Sequence, residues 1–143
     1  VKNKRGFSLL ELLIVVAIIL IITTIAIPSL LRSRQAANET AAVATLRVLN
    51  TAEVTYSSAG GGVYATLPEL VSSALVDSSL TATKSGYNYS ISVSGNRLDY
   101  TVYGVANSSI MGRFDYYTRP DYVIRYSTDS TRAPAGLAGE TVR

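Results

Sequence analysis

The chain has no cysteine and no histidine. Without cysteine no disulfide can form, so the C-terminal segment is held by packing and hydrogen bonds or is loose. The lack says nothing firm about compartment, since an exported protein need not have any. Without histidine, Ser-His-Asp and Cys-His catalysis and the usual zinc sites are excluded. The carboxylates do not fill the gap. Glu39, Glu53, Glu69, Asp77, Asp99, Asp115, Asp121, Asp129 and Glu140 stand singly, and no pair has the spacing of a general acid and base or of an EF-hand loop. Gly60-Gly61-Gly62 is no phosphate loop, because neither Lys-Ser/Thr nor a helix start follows it. No catalytic residue, metal site or cofactor is expected, and the chain is read as a non-enzyme.

A lasting positive charge is also lacking. The 143 residues carry 13 Lys+Arg and 10 Asp+Glu, a formal charge of +3. Three of the basic residues, Lys2, Lys4 and Arg5, precede Phe7, and removing them leaves ten against ten. Apart from Arg32 and Arg34, no basic cluster remains, so direct nucleic-acid binding is not expected. A near-neutral product favours close packing of many copies over solubility at high concentration.

What the chain does have is a long apolar run. It starts at Phe7, directly after Gly6, and reaches Ile27 with Glu11 as its only charge. Those 21 residues span about 31 Å as a helix, enough for a bilayer core. The basic flank keeps the N-terminus cytoplasmic and sends the rest outward. A carboxylate at the bilayer centre costs roughly 2.5–3.5 kcal/mol, so Glu11 needs a purpose and a partner. An ordinary signal peptide has a shorter apolar stretch and then an A-x-A site; here the first such triplet is Ala42-Val43-Ala44, well past the run. A plain single-span anchor explains the length but leaves Glu11 idle.

Lys-Arg-Gly-Phe-Ser-Leu-Leu-Glu-Leu-Leu-Ile-Val-Val-Ala-Ile-Ile, residues 4 to 19, followed by Ala26-Ile27-Pro28, resembles the N-terminus of the type IV pilin family, which is related to the pseudopilins of type II secretion. The likeness is strong from Lys4 to Pro28, weakens along the following helix, and is only architectural after Gly60. It implies that a membrane-embedded prepilin peptidase cuts between Gly6 and Phe7 and that the new amine of Phe7 is methylated. The Phe7 ammonium is then the natural partner of Glu11, either four positions away in one helix or on a neighbouring subunit, where the pair sets the axial stagger. The resemblance further implies a homo-oligomeric helical filament built by pilus assembly machinery under a cytoplasmic ATPase. The precursor would sit in the bacterial inner membrane by a single span, and the filament would be extracellular, serving adhesion, motility or DNA uptake. Many relatives close a C-terminal loop with a disulfide, which this chain cannot do. Many also carry glycine at the position of Leu20. Pro28 keeps a helix break plausible, with Thr23 and Thr24 placed to bond freed carbonyls.

Beyond Pro28 the pattern stays helical. Ser29 to about Ser57 lacks Pro and Gly. Ala37, Ala41, Ala44, Val48 and Ala52 recur every three or four residues, and Leu46, Leu49 and Tyr56 form a second stripe. Arg34, Glu39, Arg47 and Glu53 fall mostly outside both. The small-residue stripe is expected to pack on a sheet, with the helix continuous through the span and bent at Pro28. The glycines end it. Thr66 reads as the cap, and Pro68 as a first-turn residue, of a short helix to about Ser73. Four antiparallel strands follow: Tyr87–Val93, Arg97–Ala106, Arg113–Tyr117 and Tyr122–Ser127. Ile91 and Leu98 are expected to face the helix, and the chain from Thr128 onward to be irregular and partly mobile. The many tyrosines in this region suit strands, with an apolar body and a polar tip.

The expected fold is α+β, a long N-terminal helix on a four-stranded antiparallel sheet. The expected segments are a leader at residues 1–6, a transmembrane and assembly helix at 7–28, an amphipathic helix at 29–58 and a head at 59–143. The expected function is a structural subunit of a type IV pilus-like filament. The alternatives are a type II secretion pseudopilin, whose major form should carry a calcium loop near the C-terminus where only Asp129 and Glu140 stand, and a membrane-tethered binding module that does not polymerise.

Overall fold

The computed structural model describes residues 6–126 and 140–142. The chain divides into two units, Val1–Arg34 and Gln35–Arg143.

One helix, α1 (Leu9–Ala59), accounts for 51 residues. Its first part is rich in Ile and Val, which are only moderate helix formers in water. In lipid the helix is favoured because it bonds every backbone group internally. Hydroxyls along its length bond back to carbonyls one turn earlier, as Thr40 does to Ala36 and Thr45 to Ala41. The end is set by glycine. Gly61 and Gly62 take positive φ, and the Gly62 N–H donates to the Ser57 carbonyl at 2.8 Å, the 6→1 bond of a Schellman cap.

In the second unit, Ala42, Leu46, Leu49 and Ala52 are buried on one side of α1. This corrects the expected stripe: Ala37, Ala44 and Val48 are exposed. The reason is area, since burying a leucine is worth about 1.5–3 kcal/mol and an alanine far less, so the Leu46–Leu49 side turns to the sheet. Two residues expected outside the stripes, Glu39 and Glu53, turn inward with it. Each meets a dedicated donor: Arg113 for Glu39 and the Ala65 N–H for Glu53.

A short helix, α2 (Leu67–Ser72), follows the glycine loop. The Thr66 N–H and hydroxyl both donate to the Glu69 carboxylate, at 2.7 and 2.8 Å. A 3-10 turn at Ser78–Thr81 precedes the sheet.

The sheet is an antiparallel meander of β1 (Tyr87–Val93), β2 (Tyr100–Ala106), β3 (Tyr116–Thr118), β4 (Arg125–Tyr126) and β5 (Glu140–Thr141), in that spatial order. The four expected strands are present. Tyr87 pairs with Ala106 and Val93 with Tyr100. Tyr87, Tyr89 and Ile91 point inward from β1, and Tyr100, Val102 and Ala106 from β2. Leu98 does not join them. It lies in the turn before β2 and is 62% exposed, because Arg97 takes φ +58° and delays the strand to Tyr100. Strand β3 begins late for a similar reason. The Arg113 N–H is given to Glu39 Oε1 at 2.8 Å, and Asp115 Oδ1 takes the Ala106 N–H at 2.9 Å, so side chains replace the ladder there.

Most of the expected irregular tail lies outside the described residues. Its described end is ordered: β5 pairs with β4, and the Val142 N–H donates to the Ile124 carbonyl at 2.8 Å. That part of the expectation is corrected, and the bond holds this end of the chain without a disulfide.

Two details fix the helix on the sheet. A Cβ at Gly104 would stand 2.8 Å from Leu46 Cδ1, so glycine lets β2 approach the helix. Buried Asn50 donates to Thr118 Oγ1 at 2.9 Å and accepts from the Tyr100 hydroxyl at 3.0 Å, linking α1, β2 and β3 with its polar groups met. A chain lacking the first 34 residues should therefore be soluble and folded, with β-rich circular dichroism. Its core is small, so its stability should be marginal. A truncated chain with a random-coil spectrum would count against this architecture.

Candidate assembly segment at the N-terminus

From Gly6 to Pro28 every side chain is exposed except that of Thr23, which is intermediate. Phe7 is 78% exposed and Leu9 81%. The segment belongs to a helix long and apolar enough to cross a membrane, and none of its apolar window is buried within the chain. So large an apolar surface must be covered by lipid or by other chains.

Gly6 has no steric duty in the fold, since a Cβ there would meet nothing within 4 Å. A requirement for glycine at this position would have to come from something that binds the chain. Phe7 follows, its ring uncovered. Its nitrogen is here a peptide amide and carries no positive charge. Accordingly, no ion pair joins Phe7 to Glu11 among the described residues.

Glu11 has another partner. Its Oε2 accepts the Ser8 N–H at 2.9 Å, and Ser8 Oγ accepts the Leu10 N–H at 3.3 Å. Ser8 is the residue before α1 and Glu11 the third within it, the arrangement of a capping box. The carboxylate also faces the positive end of the helix dipole, which suits a negative charge. Ser8 was not among the expected site residues, yet its signal stood in the sequence: Ser8-Leu9-Leu10-Glu11 is the S-x-x-E spacing.

Pro28 lies inside α1, which is assigned as helix without interruption from Leu9 to Ala59. Proline has no N–H to give the carbonyl four residues back, that of Thr24. The threonine hydroxyls do not take that carbonyl. Thr23 Oγ1 donates to Ile19 and Leu20 and Thr24 Oγ1 to Leu20, between 2.8 and 3.0 Å. They reinforce the turn before the proline.

The ionisable groups of the second unit are mostly paired. Arg113 grips Glu39 through its backbone N–H and guanidinium at 2.8–3.0 Å. Burial would raise the Glu39 pKa, but these bonds and the Arg113 charge outweigh it and hold the carboxyl below its ordinary range. Arg119 pairs with Asp99 and Arg125 with Asp121, each at 2.7 Å. No group of three metal-ligating side chains gathers among the described residues.

Residues 1–27 match the prokaryotic N-terminal methylation motif. The chain is also similar to the type IV wide pilus major component PilA4 of Thermus thermophilus, with 51% identity over 45 residues. That match covers 32% of this chain and 34% of the relative. No solved structure matches the chain. This motif stands on an exposed apolar helix with an antiparallel sheet following it, the arrangement that the resemblance to type IV pilins implies, and the chain spans about a third of the length of the relative it matches.

Proposed function

We propose that the chain is the structural subunit of a type IV pilus-like filament. Residues 1–6 are a leader, 7–28 the membrane and assembly helix, 29–58 the helix that carries the sheet, and 59–143 the head. The subunit enters the bacterial inner membrane as a precursor, a prepilin peptidase cuts after Gly6, and the amine of Phe7 is methylated. The observation that carries the reading is the wholly exposed apolar segment with Glu11 as its single charge.

Lipid and a bundle of such helices are similarly apolar, so moving Leu12–Ile22 from one to the other is nearly neutral, and close packing and polar pairing decide the balance. Cleavage turns the Phe7 amide into an ammonium. Glu11, held at its own helix end by Ser8, then meets a cation on the neighbouring subunit. The contact is head-to-tail and does not close on itself, so it yields an open helical polymer. A break at Pro28 on assembly would follow from the carbonyl it leaves unbonded.

The test is Gly6→Leu in the full-length chain. The side chain has room in the subunit itself, so folding and insertion should be unchanged while a longer precursor accumulates in the membrane. A product of normal mature length would count against cleavage at this site.

A further inference from the structure

Glu53 has no part in the assembly segment, yet it is 0% exposed. Its Oε2 accepts the Ala65 N–H at 3.0 Å, and its Oε1 has no hydrogen-bond partner. A buried carboxylate needs several donors, and an oxygen without one bears the full cost of desolvation. Among the described residues, the positive charge that acts on it is that of Arg97, and it is already committed. Arg97 pairs with Glu69 and donates from Nε to the Tyr64 carbonyl at 3.0 Å.

The segment that Glu53 anchors rests on the core through buried Ala65 and the Tyr64 ring, which meets Tyr100 at 4.5 Å. Gly60–Thr66 joins α1 to α2, begins with glycines that bring no side chains to the core, and is hydrogen-bonded to the β1–β2 turn at Arg97, by the Tyr64 N–H to the Arg97 carbonyl at 2.9 Å and the Nε bond at 3.0 Å. We propose that Glu53 is a proton-operated latch on Gly60–Thr66: as the neutral acid it keeps the segment closed against the sheet, and as the carboxylate it drives the segment open to water.

The groups facing Glu53 are Tyr64 from the loop, Glu69 from α2, Arg97 from the β1–β2 turn and Tyr100 from β2, and Tyr56 from α1 faces Arg97. Burial is the largest influence and pushes the Glu53 carboxyl up to about 7, against the Ala65 hydrogen bond and Arg97, and with the repulsion of Glu69. Glu69, Arg97, Tyr64 and Tyr100 keep their charge states through neutral pH. Arg97 holds Glu69 down to about 2, the Arg97 pKa is itself raised, and burial raises Tyr64 and Tyr100. In the unfolded chain Glu53 titrates near its ordinary 4.5. Between 4.5 and about 7 the closed form therefore holds a proton that the open form has lost. The stabilisation is complete below that window and gone above it, and the opening constant rises up to roughly tenfold per pH unit within it.

The latch is independent of the filament reading. It is tested on the full chain in detergent micelles, wild type and Glu53→Gln, with carbon-13 label in the glutamate carboxyls. In the wild type the Glu53 resonance should titrate with a midpoint near 7. Protection of the Ala65 amide from hydrogen exchange, relative to the β2 amides, should fall roughly a hundredfold from pH 4.5 to 7.5. Glu53→Gln should abolish that pH dependence. Titration of Glu53 in the ordinary carboxyl range, constant relative protection of Ala65, or an unchanged pH dependence in Glu53→Gln would each overturn the proposal. Should the variant not fold, the wild-type titration and exchange decide it.

Discussion

Glu11→Ala is expected to abolish filaments while leaving the membrane level of the subunit normal. The change removes the only charge in the span, so insertion becomes easier and a simple anchor would tolerate it. An assembling subunit loses more. On the proposed pairing, the Phe7 ammonium of the neighbour would be left unpaired in an apolar bundle, at about 3–5 kcal/mol. The capping contact to the Ser8 N–H is lost as well, worth about 1 kcal/mol. Glu11→Gln separates the two, because a glutamine at this position can still close a capping box but carries no charge. If pairing dominates, Glu11→Gln should fail in the same direction as Glu11→Ala, though less severely. Normal fibres from the alanine variant, seen by electron microscopy, would show that this carboxylate does not direct assembly.

Leu46→Ala should have the largest effect on the stability of the subunit itself. Leu46 is fully buried and lies against Gly104, which has no side chain of its own to fill the space. Leucine-to-alanine changes at such sites cost about 2–5 kcal/mol. Val48→Ala provides the contrast. Val48 is 54% exposed, so its truncation should cost well under 1 kcal/mol. Chemical denaturation of the full chain in detergent would measure both. Equal losses would contradict the rotational setting of α1 found here.

That setting shows how far the sequence could be read. The apolar run, the glycine stop, the Thr66 cap and strand β1 are local signals, and each falls in the structure where its residues place it, while β2 starts three residues later than expected because of the Arg97 turn. The side of α1 that meets the sheet is not local. Two stripes competed, and the choice turned on how much area Leu46 and Leu49 bury against tyrosines some forty residues and more away. Glu39 and Glu53 read as surface charges until their donors, Arg113 and the Ala65 N–H, are seen in place. The late start of β3 also depends on Glu39, which draws the Arg113 backbone out of the ladder. Strand β5 leaves no local signal, because its two residues carry no periodicity and depend on β4 for pairing. In the N-terminal segment the apolar run from Phe7 with its single Glu11 is a matter of composition, whereas the Ser8 cap is carried only by the S-x-x-E spacing of Ser8 and Glu11.

The most direct measurement is the intact mass of this subunit taken from filaments sheared off the cell surface. The account predicts that the chain is present in those filaments, begins at Phe7, and carries a methyl group on its terminal amine. A filament-borne chain that keeps residues 1–6, one that begins after Ala26, or the absence of the chain from any surface filament would contradict it.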